Sequence, residues 1–308
     1  MSALVRFGLG TAPLGNLFNA VSDAEAEATV HAAWARGVRY FDTAPQYGHG
    51  LAEIRLGRAL AAHPRGQYRL VSKVGRVLVA PPAGSVRPSS SFVDLPALDP
   101  VFDYSRDGVL RSYEDSLTRL GVDRLDIVHV HDPDAHEAEA LATAFPTLIE
   151  LRDQGMIGQI GSGMNQVAML ARFVEQVDLD CILLAGRYTL LDRTGAQLLQ
   201  RCVERGVEVI AGGVFNSGLL ANPSVGATFD YAAAPAELVA RAQRLQAVCE
   251  QFGVPLPAAA IQFVGRHPAI TMTLVGARSV AEIEADVTYA ELEIDPSLWA
   301  ALESATQP

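Results

Sequence analysis

The chain of 308 residues contains one lysine. Lysine and arginine together number 24, so 23 of these basic residues are arginine and the remaining one is Lys73. A general bias toward arginine accounts for the missing lysines but not for the one that stays. Arginine can serve at most surface positions, whereas a compact ammonium in a tight polar site cannot be exchanged for a planar guanidinium. Scarcity therefore marks Lys73 as a functional candidate. Cysteine is also rare: Cys181, Cys202 and Cys249 lie far apart and form no CxxC pair. That excludes a disulfide framework and a cysteine zinc site, and they read as small buried hydrophobes in a reducing cytoplasm. No apolar run reaches the about 20 residues a membrane-spanning helix needs, and Met1-Ser2-Ala3-Leu4-Val5-Arg6 lacks the regions of a signal peptide. There is no basic cluster, and the formal charge is −11, which argues against nucleic acid or an anionic membrane as partner. What is present is 49% hydrophobic and 19% charged, enough for one large core or two smaller domains.

Short apolar strands alternate with amphipathic helices. Strands are predicted at 6–10, 38–42, 69–73, 125–131, 157–162, 181–185, 207–211 and 270–275. Helices fall between them at about 22–36, 51–62, 137–154, 166–176, 195–205, 236–252 and 257–266, with a last one from about 279. Ser22-Asp23-Ala24-Glu25 and Ser279-Val280-Ala281-Glu282 are capping boxes. Such alternation implies a parallel sheet, and eight units over this length favour a closed (β/α)8 TIM barrel, a single domain over 1–308, against an open doubly wound sheet. The open sheet also lacks its phosphate loop: Gly8-Leu9-Gly10 follows the first strand, but Pro13 stands where the third glycine of GxGxxG belongs. One stretch, 79–104, breaks the rhythm with Pro81, Pro82, Pro88, Pro96, Pro100 and the run Ser89-Ser90-Ser91. Because the alternation resumes after it, it is expected to be a long loop over the barrel mouth rather than a linker. Its Phe92 and Tyr104 are candidates for shaping a substrate pocket.

In a barrel of this kind the chemistry sits at the C-terminal ends of the strands. The second strand ends in Asp42, followed by Thr43-Ala44-Pro45-Gln46-Tyr47; the third ends in Lys73; the fourth ends in His129-Val130-His131-Asp132. A period of two puts Ile127, His129 and His131 on one face, toward the barrel interior. Asp, Tyr, Lys and His at one mouth form a proton-transfer set. A tyrosine ionises near pH 10 in water, too high for neutral acid–base work; lowering that by three units takes about 4 kcal/mol, roughly what one ammonium about 4 Å away supplies at an effective dielectric near 20. Lys73 is thus expected to tune Tyr47, Asp42 to pair with Lys73 and orient it, and His131 to hydrogen-bond the substrate oxygen. His129, His131 and Asp132 also allow a metal-dependent barrel hydrolase. No further His or Asp/Glu cluster ends another strand, and a nearby ammonium opposes a metal, so no metal is expected. A third class is an inactive barrel used as a binding module, against which the complete set of four argues.

The run from Phe41 to Gly48, Lys73 at its strand end, and the run from Asp126 to Pro133 together resemble the catalytic segments of aldo-keto reductases, and the similarity extends over nearly the whole chain. The resemblance implies direct hydride transfer between C4 of NAD(P)H and a carbonyl carbon, with Tyr47 as acid or base. The segments 102–112 and 212–220 are similar to the aldose 1-dehydrogenase branch, which includes L-fucose and D-threo-aldose dehydrogenases, with pyridoxal 4-dehydrogenase nearby. Oxidation of a sugar hemiacetal at C1 to a lactone is what that branch implies; aldehyde or ketone reduction and pyridoxal oxidation are the alternatives within the family.

The same resemblance supplies cofactor and substrate candidates. Tyr188 matches the tyrosine that stacks on the nicotinamide, with a core aromatic as the plain reading. Ala185 stands where a glutamine often holds the nicotinamide amide, and Ser162-Gly163-Met164-Asn165 replaces the usual Ser-Asn pair, so Ser162 and Asn165 are candidates for that contact. The cofactor phosphates are expected after the seventh and eighth barrel strands, at Asn216, Ser217, Gly218 and Leu219 and at Gly276 and Arg278. Glu282 stands where NADP-preferring relatives often carry arginine, which leans the cofactor toward NAD over NADP; the plain reading of Glu282 is a helix cap. His49, in the turn after Tyr47, is either a substrate contact or a solvated loop residue.

Overall fold

The computed structural model describes residues 6–82, 84, 90–224, 226–230 and 232–306. The segment 1–5 read for a signal, and Pro88 and Ser89 of the proline-rich stretch, lie outside the described residues. The strands are β1 (Phe7–Gly10), β2 (Tyr40–Asp42), β3 (Arg69–Val74), β4 (Arg76–Val79), β5 (Asp99–Phe102), β6 (Leu125–His131), β7 (Ile157–Met164), β8 (Cys181–Ala185), β9 (Glu208–Gly212), β10 (Thr228–Phe229), β11 (Ala232–Ala233) and β12 (Ile270–Gly276). Eight of them close a parallel barrel in the order β1-β12-β9-β8-β7-β6-β3-β2. This is the predicted (β/α)8 barrel.

The period-two pattern decides which side chains meet inside it. Tyr40, Val71, Ile127, Cys181, Leu183, Ile210 and Leu274 form the buried interior, while the alternate residues Phe41, Leu70, Val74, Val128 and Val130 join the larger core under the helices. Lys73 pairs in register with His129. A one-residue slip of β3 or β6 would turn Lys73 or His131 out of the barrel.

The helices are α1 (Asp23–Ala35), α2 (Leu51–Leu60), α3 (Arg106–Leu120), α4 (Glu137–Glu139), α5 (Phe145–Asp153), α6 (Val167–Gln176), α7 (Ala196–Arg205), α8 (Ala236–Gln251), α9 (Leu256–Val264), α10 (Val280–Glu291) and α11 (Ser297–Thr306). No single helix among the described residues is long and apolar enough to cross a membrane. Three features depart from the sequence reading. The helix expected over 137–154 is interrupted by a π-helical stretch, Ala140–Ala144, just before Pro146, whose missing N–H breaks the regular ladder. Helix α3, capped by Ser105, was not anticipated. The stretch 79–104 is not one irregular loop: β5 returns antiparallel on β4, with Pro100 opposite Leu78. A proline is tolerated there because a two-stranded hairpin has a free edge.

Candidate active site

Asp42, Lys73 and His131 come from three neighbouring strands and converge at the C-terminal mouth. Lys73 Nζ donates to Asp42 Oδ1 at 2.6 Å and to the Thr43 carbonyl at 2.8 Å, and both side chains of the ion pair are 1% exposed. Burial pushes the Asp42 carboxyl above its usual range while the Lys73 ammonium pulls it back. Tyr47 arrives on the loop after β2. Gly15 and Gly48 let two loops touch there: a Cβ on Gly48 would lie 2.4 Å from the Gly15 carbonyl oxygen, and its φ is +62°. The Tyr47 ring centre lies 4.8 Å from Lys73 Nζ and 5.9 Å from the His131 ring, edge to face. His131 is 7% exposed. Burial, then the charges of Arg76 and Lys73, hold its imidazole neutral, well below its ordinary range. A cation beside a tyrosine and a neutral imidazole facing it are an arrangement that can support acid–base chemistry.

His129 lies one layer deeper. It is fully buried, its Nε2 is 3.4 Å from Cys181 Sγ, and it is not bonded to His131. Burial, with Lys73 assisting, brings it down to about 3. Gly161 makes room for it: a Cβ there would meet His129 Cδ2 at 2.7 Å. Among the described residues no three His, Cys, Asp or Glu side chains are grouped to hold a metal.

The segment 90–98 folds across the mouth. Phe92 bridges Leu17, Phe18 N donates to the Ser91 carbonyl, and Val93 N donates to the Asn16 carbonyl. The Phe92 ring is 6.2 Å from that of Tyr47. His49 is a buried clamp rather than a solvated residue, since its Nδ1 donates to the Leu98 carbonyl at 2.6 Å. Tyr104 is fully buried, with its hydroxyl donating to the carbonyls of His131 and Asp132. It positions the end of β6 rather than facing substrate. A Cβ on Gly75 would fall 2.1 Å from its ring, so β3 can pass into β4 only through glycine.

The cofactor candidates divide. Ser162 lies between Gly161 and Gly163, which face the interior, and its hydroxyl is spent on the Val130 carbonyl; it points away from the mouth. Tyr188 stacks on Phe263 and meets His267 edge-on, so its ring packs against the segment leading into β12, which is the core-aromatic reading. Leu219 is fully buried core. Asn216 ties two mouth loops together, accepting from Thr189 Oγ1 at 2.7 Å and donating to the Gly186 carbonyl. Asn216, Ser217 and Gly218 are three successive residues in left-handed conformation (φ 47°, 59° and 100°). Asn165 sits half-buried just past β7, its carbonyl accepting from Arg187. Gly276 is exposed at the end of β12, with Pro13 beside it: a Cβ there would meet Pro13 Cγ at 3.0 Å. Glu282 does more than cap: both its oxygens hold Arg278, one at the backbone N–H (2.9 Å) and one at Nε (2.8 Å). Glu25 leaves its own capping box to accept from Val280 N at 3.1 Å, while Ser279 caps Glu282 N.

Sequence reasoning missed two buried arginines. Arg55 braces the loop after β1, donating to the Leu14 and Val21 carbonyls, Asn16 and Asp23. Arg76 lies beside His131 and Asp132. In an arginine-rich chain, nothing in the sequence separates these two from the others.

The Aldo/keto reductase family model matches residues 6–307. The chain belongs to the aldo/keto reductase family. It is an oxidoreductase of the kind that works with NAD(P)(H), and this membership replaces the hydrolase alternative. Among curated family relatives, a pyridoxal 4-dehydrogenase from Microbacterium luteolum is 42% identical, covering 96% of this chain and 92% of its own. A D-threo-aldose 1-dehydrogenase from a Pseudomonas species is also 42% identical (98% and 94%), and L-galactose dehydrogenase of Arabidopsis thaliana is 30% identical (98% and 90%). Among solved structures, a glycerol dehydrogenase from Gluconobacter oxydans superposes with TM-score 0.75 at 22% identity, covering 97% and 90%; it supports the fold alone.

Proposed function

We propose that the protein oxidises an aldose at C1 to the lactone, with NAD favoured over NADP. The observation that carries the chemistry is Lys73 Nζ held between the Asp42 carboxylate and the Tyr47 ring. In that position the ammonium stabilises a tyrosinate, so Tyr47 takes the proton of the anomeric hydroxyl. His131, neutral and facing Tyr47, hydrogen-bonds the same oxygen and sets its direction. Nicotinamide supplies the hydride acceptor when bound. The aldose assignment draws on the relative named D-threo-aldose 1-dehydrogenase.

Room for the cofactor fits the rim. The barrel strands other than those bearing the reactive groups end in Gly10, Met164 after Gly163, Ala185, Gly212 and Gly276, and a Cβ on Gly218 would meet nothing within 4 Å. Asn165 is the candidate for the carboxamide, and the left-handed turn at 216–218 for the phosphates. The NAD preference rests on charge at the start of α10: Glu282 neutralises Arg278, and Glu25 adds a second carboxylate. A 2′-phosphate there meets net negative charge.

Initial rates with NAD and NADP against L-fucose, D-arabinose, L-galactose, pyridoxal and a plain aldehyde test this reading. The expected result is highest kcat/KM for an aldose with NAD. Activity confined to pyridoxal or to aldehyde reduction overturns the aldose assignment, and a higher kcat/KM with NADP overturns the cofactor preference.

A further inference from the structure

Two charged side chains at the mouth take no part in the proton transfer above, yet they lie against it. Asp132 is the first residue past β6, held at a left-handed φ of 41°. Its Oδ2 is 3.4 Å from His131 Nε2 and 3.4 Å from Arg76 Nη2, and the side chain is 35% exposed. Arg76 opens β4 and is 8% exposed. Phe102 lies under its guanidinium at 4.7 Å, and its Nη1 is buried with no hydrogen-bond partner among the described residues.

Both contacts to Asp132 are longer than ordinary hydrogen bonds and fall on one oxygen. Proteins rarely keep a buried guanidinium N–H without an acceptor unless something else completes it, and the Asp132 carboxylate beside it is open enough to accept from a ligand. Asp132 Oδ2 lies 3.4 Å from Nε2 of the imidazole that meets the reacting oxygen, so a hydroxyl on the carbon next to the reacting one comes within its reach. We infer that Asp132 and Arg76 are specificity determinants that read the hydroxyl on the carbon next to the reacting one, Asp132 accepting its O–H and Arg76 holding the carboxylate and donating Nη1–H to a substrate oxygen. This rests on the aldose reading above. A substrate lacking that hydroxyl leaves the Asp132 carboxylate without its donor, and a site built to hydrogen-bond discriminates strongly against such an analogue.

The test compares oxidation of D-arabinose with that of 2-deoxy-D-ribose, its 2-deoxy form, in the wild type and in Asp132→Asn, Arg76→Leu and Arg76→Lys. The wild type is expected to prefer the hydroxylated sugar by about 30-fold in kcat/KM, the worth of one hydrogen bond to a charged group. Asp132→Asn and Arg76→Leu should bring that ratio to within about threefold, mostly through KM, with Arg76→Lys retaining part of it. Cofactor fluorescence titration and the melting curve establish that each variant is folded. An unaltered ratio in folded Asp132→Asn overturns the inference and leaves the two as a structural pair. Equal use of both sugars by the wild type overturns it alone. Failure of the wild type on both sugars overturns it together with the aldose reading.

Discussion

The two halves of the barrel mouth are built from opposite materials. Strands β2, β3 and β6 deliver Asp42, Lys73 and His131, all buried and all polar. Around the rest of the rim, β1, β8, β9 and β12 end in Gly10, Ala185, Gly212 and Gly276, and β7 carries Gly163 next to its end. One half spends its side chains on charge, and the other has almost none to spend. The contrast separates two tasks: chemistry needs fixed charges at close range, while a flat extended ligand needs backbone and space. Segments 16–18 and 90–98 close over the reactive half, with Phe92 against Tyr47.

The largest effect should come from breaking the reactive half at its one ammonium. Lys73→Met is expected to lower kcat by about a thousandfold, in the upper range for positioned acid–base groups. It also leaves Asp42 buried without its cation, a loss of about 3–5 kcal/mol of stability. The double variant Lys73→Met with Asp42→Asn removes both charges and should recover much of that stability but none of the rate. Stopped-flow hydride transfer and thermal melts read the two separately. Turnover near wild type in either variant would remove Lys73 from the chemistry.

A smaller effect tests whether acid sensitivity belongs to the reactive half. His129 is held neutral down to about 3, whereas an unfolded histidine titrates near 6.5. Below 6.5 the unfolded chain binds a proton that the folded chain refuses. The stability conferred by the neutral ring is complete above pH 6.5 and is lost as pH falls toward 3. Between pH 6.5 and 5 this amounts to about 2 kcal/mol. His129→Gln should flatten the fall of unfolding free energy over that range in urea titrations. A variant curve parallel to wild type would show that another group carries the acid limb.

The two halves were also unequally legible in the sequence. Asp42, Lys73 and His131 could be read because a period-two strand fixes both the face and the end, and because a lone lysine is conspicuous. The side-chain directions of Ser162, Tyr188 and Tyr104 were lost because each depends on which partner across the fold claims the polar atom or ring: Val130, Phe263 and the His131 carbonyl, respectively. Glu25 was legible as a cap, but its reach to Val280 crosses 255 residues. Arg76 stayed hidden for a related reason: the hairpin that seats it includes Pro100, which sequence rules read as a strand breaker; Asp132 was legible only as a possible metal ligand beside His131.

The mildest perturbation refills the empty half. Gly212 ends β9 in a conformation open to any residue, and a Cβ there would meet only Leu183, at 3.2 Å from Cδ2, the far end of a flexible side chain. Leu183 can turn aside, so the fold should lose little from Gly212→Ala or Gly212→Val. If the bare rim exists to admit the cofactor, each added carbon intrudes on it. Cofactor affinity by fluorescence titration should then fall in steps, reaching about tenfold, or about 1.4 kcal/mol, for valine, while the melting temperature moves by only a few degrees. Unchanged affinity in both variants would mean that the glycines at the rim serve close packing of the strands, and that the division between a reactive half and a binding half is drawn in the wrong place.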